Sequence, residues 1–215
     1  YCKIYFKSVN SILFLSNNIY IYDSEMKNNI NIRFIIIFIL VILVTVIITG
    51  YFRKRYINYL PTIPVYPNSY IEVKKVEEEV STITPSDIEF YKSTDPSIKT
   101  AFLPYVNETN EELTDIILRV NPIINFFKYT INRPRPKQIN PQLNVLESTT
   151  AHTPAYPAGH ALQAYYLSKV LSKRYPDKKE LFDNIAKRCD LVRVKAGLHY
   201  PSDGKFSKAI VDVLP

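Results

Sequence analysis

The sequence predicts an all-α protein, a helical bundle preceded by a single N-terminal transmembrane helix. Three observations predict it. One uncharged apolar run has the length of a bilayer core. Helix start signals recur through the second half of the chain. Strand-like alternation is missing, and four glycines provide poorly for hairpin turns.

In chain order, residues 1–25 precede the single methionine, Met26, and are expected either to lie upstream of translation or to belong to a fragment, so they are set aside. The anchor is placed at 26–56. Its core, 34–52, is dominated by Ile, Val, Leu and Phe. At 1.5 Å per residue that core spans roughly 28 Å. Basic residues flank it at Lys27 and Arg33 on one side and at Arg53, Lys54 and Arg55 on the other, a balance that leaves the orientation open. Residues 57–83 read as a spacer because Pro61, Pro64 and Pro67 disfavour helix, and the run Glu72 to Glu79 reads as a solvated surface.

The helical domain is placed at 84–215. Ser86 with Glu89 and Asp177 with Glu180 have capping-box spacing, and Asn121 followed by Pro122 is an N-cap with proline at the first helical position. Helices are therefore expected near 86–93, 110–120, 122–131, 160–174, 178–197 and 203–213. About 130 residues of helix are enough to bury a core.

The charge of +7 suits an anionic membrane surface, a small anionic substrate or nucleic acid. Basic residues interleaved with aromatics do not occur, which argues against nucleic acid. Two cysteines, Cys2 and Cys189, have neither disulfide-framework nor zinc spacing, and Cys189 is read as a small core residue.

Unusual residues concentrate in three segments: Lys128 to Pro136, Pro157 to His160, and Arg193 to Asp203. An Arg-x5-His-x3-Asp pattern alone turns up by chance in about one chain in a hundred. The weight therefore rests on all three occurring in order. Together they resemble the signature of the type 2 phosphatidic acid phosphatase and vanadium haloperoxidase superfamily: Lys-x6-Arg-Pro, Pro-Ser-Gly-His and Ser-Arg-x5-His-x3-Asp. Lys128, Arg135 and Pro136 match the first motif, Pro157, Gly159 and His160 the second, and Arg193, His199 and Asp203 the third. Ala158 and Val192 stand where the family has serines. The resemblance covers about residues 120–205 and leaves out the anchor.

The chemistry is intelligible residue by residue. A phosphoryl group in transfer spreads negative charge over its equatorial oxygens, so preorganised cations do most of the work. Lys128, Arg135 and Arg193 supply them, and no carboxylate cluster suggests a metal. Gly159 at a helix start lets backbone N–H groups approach the anion, with Ala158 beside it. A carboxylate on one imidazole nitrogen would free the other to attack phosphorus, which makes His199 the expected nucleophile and Asp203 its support. The resemblance implies a phosphohistidine on His199, and a leaving-group proton from His160. Lys137 and Lys195 are expected as rim charges and His152 as a loop residue, while Tyr156 and Tyr200 are candidates for pocket wall or packing.

The expected function is a single-pass, membrane-anchored, metal-independent phosphatase acting on phosphomonoesters, with a phosphorylated small molecule or a lipid headgroup as substrate and no cofactor. Two alternatives stand beside it. One is a haloperoxidase that binds vanadate in the same cradle. The other is a membrane protein that binds phosphate or a headgroup with weakened catalysis, a reading that Ala158 and Val192 favour. Substrate identity and oligomeric state are not legible.

Overall fold

The computed structural model describes residues 36–45 and 65–215. The chain divides into two compact units, Tyr1–Tyr51 and Phe52–Pro215. In the first, residues 36–45 form a helix (α1) whose large apolar side chains, from Ile36 to Val44, are exposed. The ends of the apolar run 34–52 lie outside the described residues. Among the described residues no helix is long and apolar enough to cross a membrane.

The second unit is all-helical, with no strand among its described residues. Its α-helices are α2 (Ser69–Ser81), α3 (Pro85–Thr94), α4 (Asn110–Leu118), α5 (Asn121–Ile131), α6 (Pro136–Ile139), α7 (Gly159–Arg174), α8 (Lys179–Lys195) and α9 (Pro201–Val213). α7 is the hub. It packs most extensively on α8 and α9, and also meets α4 and α5. Leu167 and Leu171 of α7, Leu113 and Ile116 of α4, and Phe182, Ala186 and Cys189 of α8 share one buried cluster with Phe102. Cys189 is thus a core residue, and burial pushes its thiol up to about 12. A second cluster joins Ile124 of α5, Leu162 of α7, and Ile210 and Val211 of α9.

Three start signals sit differently from expectation. α3 is capped by Thr84 with Asp87, not by Ser86 with Glu89, because Pro85 takes the first helical position and shifts the box by two residues. α5 starts after Val120, which gives no side-chain cap, so Asn121 is already helical. α8 follows Lys178, and Asp177 belongs to the short 3-10 turn Pro176–Lys178.

The larger correction concerns the spacer. Residues 69–81 are a helix, and of the charged side chains in the run Glu72 to Glu79 only Glu72 is buried, while Lys74, Lys75 and Glu78 face solvent. Asn68 accepts the Tyr70 N–H at its start, and Glu72, Val73 and Val76 turn inward at helical spacing. Val73 and Val76 pack with Leu143, Val194 and Tyr200. Glu72 is buried because Arg133 and Ser202 receive it: Nη2 of Arg133 lies 2.8 Å from Oε2, and the Ser202 hydroxyl donates to the same oxygen at 2.6 Å. The domain that was expected to begin at 84 therefore includes α2.

Candidate active site

Lys128 lies on the buried face of α5 with Ile124 and Ile131, so the helical pattern that makes the core also carries an ammonium inward. Its Nζ donates to the Pro154 carbonyl. α5 ends at Asn132 in the left-handed region, φ 53°, which turns the chain so that Arg133 and Arg135 return toward α9 and α7. Arg135 donates from Nε to Thr153 O at 2.7 Å and from Nη1 to Leu198 O at 2.6 Å, leaving guanidinium N–H groups for a ligand.

Arg193 comes from the last turn of α8. Its Nη1 lies 2.7 Å from Oδ1 of Asp95, and its Nη2 donates to Thr150 Oγ1 at 3.3 Å. Asp95 follows α3 and is gripped by the 148–150 loop, with Ser148 and Thr149 donating to it. Burial opposes its charge, but the hydrogen bonds from Ser148, Arg193 and Thr149 outweigh burial and hold the carboxyl well below its usual range. The Asp95 carbonyl also accepts from His160 Nε2 at 2.9 Å, which leaves Nδ1 of that ring as the acceptor.

After α8, Gly197 at φ 76° reverses the chain, with the Leu198 N–H on Arg193 O at 3.0 Å, and delivers His199 ahead of α9. His199 Nδ1 is 3.1 Å from the Tyr200 carbonyl, so it carries the hydrogen there and Nε2 keeps the lone pair.

Seven expected residues line one cavity of about 360 Å³: Lys128, Arg135, Arg193, His160, His199, Ala158 and Gly159. Among the described residues no Asp or Glu lines it. The electrostatic consequence is mutual depression of the cationic forms. Burial and then the Arg135 charge push Lys128 well below its ordinary value. Burial and then Arg193 push Arg135 down to about 10. Burial and Arg193 push His160 to about 3, and His199, fully buried, is likewise held neutral. An anion among these groups offsets the repulsion between their cationic forms.

Asp203 departs from expectation. It does not line the cavity and makes no hydrogen bond to His199. The reason is local: His199 precedes the helix, whereas Asp203 is the third residue of α9 and folds back onto the Tyr200 N–H at 2.8 Å as a cap. Its other oxygen lies 2.5 Å from Arg133 Nη1. Four-residue spacing would put them on one face only if both were helical.

The two serine departures have different meanings. Val192 packs with Tyr91, Ala196 and Leu198 away from the cavity, whereas Ala158 lines the cavity and caps α7 with no side-chain hydrogen bond. Tyr156 and Tyr200 are packing residues: Tyr156 stacks on Phe206 with centroids 4.5 Å apart, and Arg133 lies 3.7 Å over the Tyr200 ring. Lys195 is not on the rim, being paired with Asp87 at 2.9 Å, and Lys137 donates to Leu143 O at 2.6 Å.

Three groups escaped the sequence reading. Asp95 is nearly a hundred residues from Arg193, so nothing in the sequence joins them. Arg133 was passed over between two motif residues. Asp190, three residues before Arg193 on α8, carries a partly buried carboxyl whose Oδ1 is 3.7 Å from His199 Nε2 and whose Oδ2 accepts from the Tyr165 hydroxyl at 2.9 Å. Burial pushes Asp190 up to about 7. A Cβ on Gly204 would fall 2.1 Å from these oxygens, so the glycine after Asp203 makes room for them.

Compared with known proteins, the sequence matches no family model and no curated protein.

Proposed function

We propose that this chain is a metal-independent phosphatase that hydrolyses phosphomonoesters through a phosphohistidine on His199, held at a membrane by the apolar run 34–52. The observation that carries the reading is the cavity lined by Lys128, Arg135, Arg193, His160 and His199 and, among the described residues, by no carboxylate, a composition suited to a phosphate dianion.

The neutral imidazole of His199 presents its Nε2 lone pair to phosphorus, and the ester P–O bond breaks as the N–P bond forms. Lys128, Arg135 and Arg193 balance the charge on the equatorial oxygens. His160 donates the proton to the leaving alkoxide. Burial and then Arg193 lower it in the free protein, and a dianion among the cations offsets their part and so favours the protonated form. Water then attacks the phosphohistidine and gives its proton to His160, and inorganic phosphate leaves. Asp203 is a positioning residue here. By fixing the Tyr200 N–H it holds the turn that carries His199.

The test uses the full chain in detergent. Phenyl phosphate should be hydrolysed at an unchanged rate in EDTA, and His199→Ala should abolish turnover. Activity lost in chelator and restored by Mg²⁺ would overturn the mechanism, and vanadate-dependent bromination without hydrolysis would favour the haloperoxidase instead. Alkaline carbonate should leave the protein with membranes; release as a soluble species would remove the anchor.

A further inference from the structure

The cavity has a second half that the chemistry above does not use. Beyond the histidines and three cations, its wall carries the polar Ser97, Lys99, Thr114, Asn121 and Gln163 beside the apolar Ile117, Leu118 and Ile124. Lys99 stands in the 3-10 turn Ile98–Ala101, and its Nζ donates to Thr114 Oγ1 at 2.7 Å. The Thr114 hydroxyl is committed to Asn110 O at 2.7 Å, so it can only accept from the ammonium, which fixes the lysine against α4. That bond uses one of three ammonium hydrogens. Among the described residues no carboxylate pairs with Lys99, although other lysines such as Lys195 have carboxylate partners. Gln163 Nε2 donates to Asn121 Oδ1 at 2.9 Å, which ties α7 to α5 and orders the amides on this wall.

We propose that Lys99 recognises a second anionic group on the substrate, a carboxylate or another phosphate carried by the leaving group, so that the preferred substrates are small phosphomonoesters charged at both ends. This rests on the phosphatase reading and names its substrate class. A neutral alkyl leaving group would make no bond to the two remaining hydrogens of the Lys99 ammonium, whereas an anion accepts them. The volume, about 360 Å³, sits at the lower end of the roughly 300–1,000 Å³ range of small-molecule pockets, which fits a compact ester.

The experiment compares propyl phosphate, 3-phosphooxypropanoate and propane-1,3-diyl bisphosphate, three esters with the same three-carbon spacer, as substrates of the full-length protein and its Lys99→Met and Lys99→Arg variants. Wild type should show a KM about tenfold or more lower for the two doubly charged esters than for propyl phosphate, as expected for a hydrogen bond to a charged group. Lys99→Met should erase that difference while leaving kcat and the propyl phosphate KM unchanged, and Lys99→Arg should restore most of it. A lower KM for only one of the charged esters identifies the second group as carboxylate or phosphate. Equal KM values across the series, or a Lys99→Met loss shared equally by all three, would overturn the subsite. Calorimetric titration of the same compounds separates the two readings: ordered affinities without turnover would keep the subsite and sink the phosphatase, and turnover with flat KM values would do the reverse.

Discussion

Arg133 Nη1 lies 2.5 Å from Asp203 Oδ1, and both side chains are fully buried. The same guanidinium holds Glu72 at 2.8 Å and stacks on Tyr66 and Tyr200, so α2, the turn after α5 and the start of α9 meet on one arginine. Removing one member of a buried ion pair strands the other, at a cost of about 3–5 kcal/mol. Arg133→Met is therefore expected to destabilise the folded protein by that amount in urea unfolding, and Asp203→Asn to do so to a smaller extent. The double variant should cost no more than the worse single one, because the two residues share a network. Additive losses, or an Arg133→Met loss under about 1 kcal/mol, would show that the cluster does not act as a unit.

Asp190 gives stability a particular pH dependence. Its folded value, raised by burial to about 7, exceeds the ordinary carboxylate value of 3.8. Between those values the folded protein holds a proton that the unfolded chain has lost, so this residue's contribution falls as pH rises, at up to about 1.4 kcal/mol per pH unit. Replacing Asp190 by Asn removes the titration. The stability of Asp190→Asn relative to wild type should therefore grow from about pH 4 to about pH 7 and level off above. The histidines, held neutral, act in the opposite direction in both proteins and cancel in the comparison. A difference that does not change with pH would mean that Asp190 is ionised throughout.

On the proposed mechanism, His160 matters most when the leaving group is poor. His160→Ala should lower kcat for an alkyl phosphate by about a hundredfold or more, within the usual range for a general acid, and much less for nitrophenyl phosphate, whose leaving group scarcely needs a proton. Equal losses on both substrates would assign His160 to holding Asp95 and Arg193 in place through its bond to the Asp95 carbonyl.

Ala158 caps α7 from within the cavity and lacks a side-chain hydrogen bond. A serine hydroxyl there can serve the helix end or the bound oxyanion. Ala158→Ser should raise thermal stability by about 1 kcal/mol through capping. It should raise turnover by about tenfold where the hydroxyl instead donates to the anion, since such bonds contribute about 1.5–3 kcal/mol. No change in either would mean that a water already fills the position.

Most helices were legible because their apolar spacing and proline starts act locally. The ones near 110, 122 and 160 are set by residues within a turn of each other, and α7 and α8 end within two residues of expectation. The grouping of Lys128, Arg135, Arg193, His160 and His199 around one cavity was legible too. What failed was pairing across the chain. The helix α2 was obscured by three upstream prolines and a charged run, although Val73, Val76 and Val80 recur at helical spacing and could have signalled it. The Glu72, Arg133 and Asp203 cluster joins residues more than a hundred positions apart, and a carboxylate four residues from a histidine looked like its partner until the helix start between them placed one residue outside the helix.

The central claim is that His199 becomes phosphorylated in a cavity that needs no metal. The direct measurement incubates the full-length protein with ³²P-labelled phenyl phosphate in EDTA, quenches in alkali to preserve phosphohistidine, and maps the label. The account predicts an alkali-stable, acid-labile label on the peptide containing His199, formed and lost at rates that match turnover and missing in His199→Ala. Turnover in EDTA with no label on that peptide, or a label on any other residue, would contradict it.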